Sequence, residues 1–267
     1  MNLRIHKWAI VKRLCYLSLF ASVLACGYTD DSINKPPVDV SVTPPNGNTP
    51  TLPAAADCDC PVDTPVASTP PTAFARTLII GNSIMLHLPL PNVGWPYSHG
   101  MAASAPQADF VHLLTANLQR VLPSASVTLA NGGDFERAYW TYDLSQLDNA
   151  FVSKPNLVIV RISENINDKL VDANNFGVHY KRLLDYIAAH SAPDAKIVCS
   201  TSFWNNPKSD AVIRTIAAER GYAVACLCKL VGRPEYMATQ FTNPGVAAHP
   251  NDKGMAEIAR ILWAQIQ

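Results

Sequence analysis

The sequence predicts an α/β fold, a three-layer sandwich in which a parallel sheet of about five strands is flanked by helices. Three observations predict it. Short apolar runs alternate with stretches of helical periodicity from Arg76 onward, and such alternation implies βαβ crossovers. The runs are apolar almost throughout, as strands covered on both faces must be. The chain of 267 residues, 48% hydrophobic, can also bury one full core once its atypical N-terminal part is set aside. The strands are expected at Arg76 to Ile80, Ser126 to Ala130, Asn156 to Ile162, Lys196 to Ser202 and Tyr222 to Cys228. Helical spacing places Phe110, Leu113, Leu114, Leu118 and Val121 on one buried face, and Tyr180, Leu183, Leu184, Ile187 and Ala188 on another. Ile258, Ala259, Leu262 and Ile266 mark a terminal helix.

Three segments are expected along the chain. Residues 1–26 carry Arg4, Lys7, Lys12 and Arg13, then an apolar stretch from Leu14 to Ala25 that ends in small residues, the layout of a secretory signal. That stretch is too short to span a bilayer comfortably. Val23-Leu24-Ala25-Cys26 resembles a bacterial lipobox, with Leu24 where a smaller residue is usual, and the resemblance implies lipidation of Cys26. In the lipoproteins it resembles, an Asp after the cysteine favours the inner membrane. Gly27 stands there, so the expectation is an exported lipoprotein of the cell envelope, more in keeping with the outer membrane or a periplasm-facing position, touching the membrane through its lipid only. Residues 27–73 hold ten prolines, from Pro36 to Pro71, among small polar residues, and read as an extended linker unable to repay its ordering entropy. Residues 74–267 form the domain. Lys plus Arg equal Asp plus Glu at 21 each, and four of the basic residues lie in the leader, so nothing points to nucleic acid as a partner.

In a parallel sheet the working residues collect beyond the carboxyl ends of the strands. The first run ends in Ile80-Gly81-Asn82-Ser83, which puts a serine just past the strand. The second ends in Asn131-Gly132-Gly133-Asp134, where a glycine can bring its N–H against a substrate oxygen. The third ends in Ser163-Glu164-Asn165, whose amide could donate to a developing oxyanion. His249 precedes the terminal helix, with Asn251 or Asp252 available as its cap. Singly, each has an ordinary role as turn former, cap or packing residue. The weight lies in serine, glycine, asparagine and histidine appearing in that order, three after successive strands and the last before the terminal helix.

In that conjunction the chain resembles the SGNH (GDSL-like) hydrolase family over about Thr77 to Gln267. Gly81-Asn82-Ser83 stands for the Gly-Asp-Ser block, Gly133-Asp134 for the glycine block, Glu164-Asn165 for the Gly-x-Asn-Asp block and His249-Pro250 for the histidine block. The resemblance implies a flavodoxin-like sheet and a serine esterase with Ser83 as nucleophile, His249 as base, and Gly133 and Asn165 in the oxyanion hole with the Ser83 N–H. Gly132, adjacent, stays open for the glycine role. It needs neither metal nor organic cofactor. The chain departs from the pattern at Ser163 and Ile166, which replace the flanking Gly and Asp of the third block, and at Val246, three before the histidine, where an Asp usually orients the imidazole. A backbone carbonyl of the Asn243 to Ala247 loop is expected to hold the ring instead, making a Ser-His dyad, with Asp252 as the competing helper.

The substrate is expected to be a small ester, in the first place an acetyl ester, with a carbohydrate, a lipid or a small soluble alcohol left open as its carrier. Trp95, Tyr97, Trp140 and Trp204 fall near rim loops where aromatic faces could meet sugar rings, with packing as the more frequent role of such residues. Two other functions fit the same residues: an inactive glycan-binding module that kept the fold, or an O-acyltransferase. Among the cysteines, Cys58 and Cys60 lie in the linker and Cys199, Cys226 and Cys228 in the last two runs, with pairing left open. Cys226-x-Cys228 lacks the second pair a metal site would need.

Overall fold

The computed structural model describes residues 71–267. The leader, Cys26, Cys58, Cys60 and the linker up to residue 70 lie outside the described residues. Five strands, β1 (Arg76–Gly81), β2 (Ser126–Asn131), β3 (Leu157–Val160), β4 (Lys196–Ser200) and β5 (Ala223–Ala225), form one sheet in the order β2-β1-β3-β4-β5. All four pairings are parallel. This is the flavodoxin order, and the three-layer α/β class expected from the sequence is the one observed.

The helices are α1 (Phe110–Val121), α2 (Gly133–Ala138), α3 (Phe176–His190), α4 (Pro207–Glu219), α5 (Pro244–Ala247) and α6 (Asp252–Ile266). Side chains alternate along each strand, so the apolar runs split into two cores. Leu78, Ile80, Val158, Val160 and Ile197 meet Tyr180, Leu183 and Leu184 of α3 and Ile213 of α4 on one face. Ile79, Leu157, Ile159 and Val198 meet Phe110, Leu114 and Leu118 of α1 and Met255, Ile258 and Leu262 of α6 on the other. Each such aliphatic side chain contributes roughly 1.5–3 kcal/mol by leaving water, which is why strands without polar alternation are stable here.

Three strands end earlier than the apolar runs suggest. The Arg161 N–H still bonds Ile80 O at 2.8 Å, but its guanidinium turns inward to Glu164 and the chain leaves the sheet. Beyond Ser200 the Ser202 N–H is taken by Asp210, which ends β4. β5 is an edge strand with β4 as its one neighbour, and past it the Leu227 N–H is drawn to Thr201 Oγ1. Cys226 and Cys228, just beyond β5, are disulfide-bonded, whereas Cys199 on β4 is a buried free thiol whose pKa burial raises to about 11. Among the described residues no helix is long and apolar enough to cross a membrane.

The order places β1 between β2 and β3. The connection after β1 runs to β2 on one side and the connection after β3 runs to β4 on the other, and this reversal opens a crevice beyond the ends of β1 and β3. Ser83 follows β1, Gly132 and Gly133 follow β2, and Asn165 follows β3.

Candidate active site

Ser83 sits at the start of a tight turn in which the Asn82 carbonyl accepts from the N–H groups of Met85 (2.9 Å) and Leu86 (3.1 Å). The turn closes against Gly81, where a β-carbon would stand 2.9 Å from Met85 Cβ, so glycine is what lets the chain turn directly off the strand. His249 is delivered from the opposite side by α5 and the start of α6. Asn243 caps α5 by accepting from the Val246 N–H, and Asn251 caps α6 by accepting from the Gly254 N–H. Between these two caps the histidine is fixed at both backbone ends.

Ser83 Oγ lies 2.8 Å from His249 Nε2. On the other side of the ring, Nδ1 lies 2.7 Å from the Gly245 carbonyl oxygen. A carbonyl can only accept, so Nδ1 carries the proton and Nε2 turns its lone pair to the serine hydroxyl. Burial lowers the His249 pKa to about 4, with the Gly245 bond and Glu164 opposing and His87 and Arg161 assisting. The ring is therefore neutral at pH 7, the state a general base requires.

Val246 cannot take the place of the missing acid. Its side chain is buried with Trp95, Met101, Ala102 and Ala238 in a small apolar cluster. Asp252 is directed elsewhere: Oδ1 accepts from the Ser104 N–H at 2.7 Å and Oδ2 from the Ser104 hydroxyl at 2.5 Å. It pins the loop after β1 to the first turn of α6, and the bonded partner of Nδ1 is the Gly245 carbonyl.

The two glycines are distinguished by their surroundings. A β-carbon on Gly132 would meet Ile162 Cγ2 at 2.5 Å and Ile80 Cγ2 at 3.1 Å, and the Gly132 N–H is spent on Gly81 O at 2.6 Å. Gly132 is thus required for close packing of the β2 exit on the sheet. Gly133 opens α2, and its N–H donates to Asn131 Oδ1 at 2.9 Å. It can serve an oxyanion only when that amide oxygen gives way.

Beneath Ser83 lies a polar network that the sequence reading did not anticipate. The buried Asn82 carboxamide donates to Glu136 Oε1 at 2.9 Å and to Glu164 Oε2 at 2.6 Å. Glu164 Oε1 accepts from Arg161 at 2.8 Å and from the Phe203 N–H at 2.9 Å. Glu136 accepts from the Ser163 N–H at 2.7 Å and, through Oε2, from Asn165 Nδ2 at 2.6 Å. Ser163 Oγ donates onward to Asp210 Oδ1 at 2.9 Å. An aspartate in place of Asn82 would set a third carboxylate between two others, whereas asparagine supplies the two donors they need. The signs in the sequence were Asn82 directly before Ser83 and Glu164 directly before Asn165, polar residues at two strand exits.

Of the four aromatic residues expected at the rim, Trp95 is fully buried in the cluster with Val246 and is withdrawn from any sugar-facing role. It staples the loop Leu86 to His99, ringed by Tyr97, His99 and Phe241. Tyr97 and Trp140 are exposed. Trp204 stands edge-on to His249 with centroids 5.3 Å apart, its Nε1 donating to Ala248 O at 2.8 Å. No group of His, Cys, Asp and Glu able to hold a metal ion occurs among the described residues.

No protein-family model and no curated protein matches the chain. Solved structures are similar to it. One is a two-domain esterase active on acetylated mannans, at 18% identity over 71% of this chain and 48% of that one, with a TM-score of 0.49. The chain thus spans about half the length of that esterase. A psychrotrophic esterase from Pseudoalteromonas sp. is similar at 14% identity over 72% of this chain and 96% of that one, TM-score 0.48. A variant of an acetyl-xylooligosaccharide esterase from Geobacillus is similar at 17% identity over 74% and 96%, TM-score 0.44.

Proposed function

We propose that residues 74–267 form a serine ester hydrolase of the SGNH type that acts through a Ser83-His249 dyad. The observation that carries this is the aligned chain from Ser83 Oγ to His249 Nε2 at 2.8 Å and from Nδ1 to the Gly245 carbonyl at 2.7 Å. Ser83 Oγ attacks the ester carbonyl as its proton passes to Nε2. The resulting oxyanion is held by the Ser83 N–H, the Asn165 amide and the Gly133 N–H, the last after Asn131 Oδ1 gives way. Collapse expels the alcohol, which takes the proton from the imidazolium. Water, deprotonated by the same nitrogen, then attacks the acyl-serine and releases the acid.

The substrate class proposed is a small acetyl ester, and a carbohydrate carrier is the one proposed first. Exposed Tyr97 and Trp140 support it, since flat aromatic faces can stack on sugar rings. The N-terminal reading extends the proposal: an exported lipoprotein anchored through Cys26, at the outer membrane or facing the periplasm, with residues 27–73 as spacer.

The test is turnover of a chromogenic acetyl ester by the purified protein and by Ser83→Ala. The serine is half-buried at a strand exit and fills no core space, so the variant should keep the fold and lose hydrolysis. Equal rates in the two proteins would refute the assignment.

A further inference from the structure

Building on that reading, we infer that Glu136 is a positioning residue, whose ionised carboxylate turns the Asn165 amide so that it presents a hydrogen, not an oxygen, to the oxyanion. Glu136 is 1% exposed on α2 and touches no position open to substrate. Every hydrogen-bonding group around it is a donor: Asn82 Nδ2, the Ser163 N–H, the Asn165 N–H at 3.4 Å and Asn165 Nδ2 at 2.6 Å. Such a cradle fits an acceptor-only carboxylate, and a proton on Glu136 would compete with one of these donors.

The contact with Asn165 fixes an amide that could otherwise flip. Nδ2 faces Glu136 Oε2, while Oδ1 faces the Arg137 guanidinium at 3.5 Å. Only this orientation is complementary at both ends. One Nδ2 hydrogen goes to Glu136 and the second remains for a substrate oxygen. If the carboxylate is protonated or replaced by an amide, Oε1 keeps its two close donors, from Asn82 and Ser163. The new N–H or O–H then falls at the Oε2 position. Asn165 must flip to accept from it, which turns Oδ1 toward the oxyanion and converts a donor into a repulsive contact.

The charged groups around Glu136 are known from each element packed on it. Glu164, beyond β3, repels it and is itself paired with Arg161. Asp210 of α4 is joined to it through Ser163. Arg137 on its own helix is largely exposed. Burial first, then Glu164, raises the Glu136 pKa to about 7, against the pull of its donors. The orienting charge is therefore present above about pH 7 and lost below it, whereas the His249 base does not charge until about pH 4.

The experiment is a double-mutant cycle of Glu136→Gln and Asn165→Ala with pH profiles on the chromogenic acetyl ester. Glu136→Gln should lower kcat by about 10²–10³, the loss of one oxyanion donor, with KM little changed. Asn165→Ala should do the same, and the double variant should be no worse than either single. Wild-type kcat should fall as pH drops through about 7, and this limb should vanish in Asn165→Ala, a measurement that requires no Glu136 variant to fold. Independently of turnover, the Asn165 side-chain amide resonances should shift with a midpoint near 7 in the wild type. Additive losses, full kcat in Glu136→Gln, or an Asn165 amide insensitive to pH would each overturn the inference. Full activity in Ser83→Ala would instead overturn the hydrolase reading and leave the amide titration to decide the role of Glu136.

Discussion

Asp210→Asn should change how stability depends on pH, because the wild-type protein keeps a carboxyl where ionisation is opposed. Asp210 lies on α4, 6% exposed, accepting from the Ser202 N–H at 2.8 Å and Ser163 Oγ at 2.9 Å through one oxygen. Burial is the first cause that raises its pKa, from 3.8 to about 7; its hydrogen bonds pull the other way. A carboxyl whose folded pKa is raised lends stability that is fully present below the unfolded value and lost as pH rises through the folded one. Between pH 5 and 7 the unfolded chain is already ionised and the folded one is not, so wild type loses about 1.4 kcal/mol per pH unit, about 3 kcal/mol at most over the interval. Asparagine keeps the accepting oxygen for both donors and does not titrate. Urea or thermal unfolding of both proteins at pH 5 and pH 8 measures the difference, at roughly 2–4 °C per kcal/mol for a domain of this size. Asp210→Asn should gain on wild type between the two pH values by up to that amount. The same offset at both would show that Asp210 ionises freely in the fold, and the argument from burial would be wrong.

Asp252→Asn should keep most of the ester hydrolysis, since its oxygens hold Ser104 and not the imidazole; a loss on the order of 10⁴-fold in kcat, as when a triad aspartate is neutralised, would make it the third member of a triad. Gly132→Ala should destabilise the domain by about 1–3 kcal/mol through overpacking against Ile162 and Ile80, whereas Gly133→Ala meets mainly the end of the flexible Arg137 side chain; equal melting temperatures for the two variants would refute the distinction. Mass spectrometry of the membrane fraction should find Cys26 as a lipid-bearing N-terminus, and an intact leader would remove the anchor from the proposal.

The sheet was legible because its inner strands β1, β3 and β4 are buried on both faces and leave unbroken apolar runs, as Leu157 to Val160 do. α1, α3 and α6 were legible because each puts a continuous apolar stripe on a core. α2 was not: it has six residues, and the run Gly133-Asp134-Phe135-Glu136 looks polar because Glu136 points inward to a network, not outward to water. α4 begins with Pro207 and buries Ser209 and Asp210 beside Ile213, which hides its apolar face in the sequence. The order of Ser83, Gly133, Asn165 and His249 was readable because each follows a strand or precedes a helix. The network of Asn82, Glu136 and Glu164 was not, since its members lie 54 and 82 residues apart and meet only when β1, α2 and the β3 exit are assembled. Which of the two roles Trp95 takes, packing, was not legible for a related reason, as an aromatic in a loop gives no sign of which way it folds.

In the proposed mechanism the Gly245 carbonyl stands where a triad has a carboxylate, with an electrostatic consequence that the other proposed groups partly offset. A carbonyl 2.7 Å from Nδ1 fixes the tautomer and aim of His249, though through a weaker bond than a charged acceptor makes. What it lacks is the full negative charge that would stabilise the imidazolium during attack. The carboxylate that raises the His249 pKa is Glu164, which is bonded to Asn82 directly before Ser83. Arg161, bonded to Glu164 at 2.8 Å, opposes that effect at the imidazole. The imidazole is thus a weak base held in the right place. In the proposed mechanism the greater part of transition-state stabilisation then falls to the oxyanion donors, and a carboxylate that orients Asn165 would act where that mechanism has most to gain.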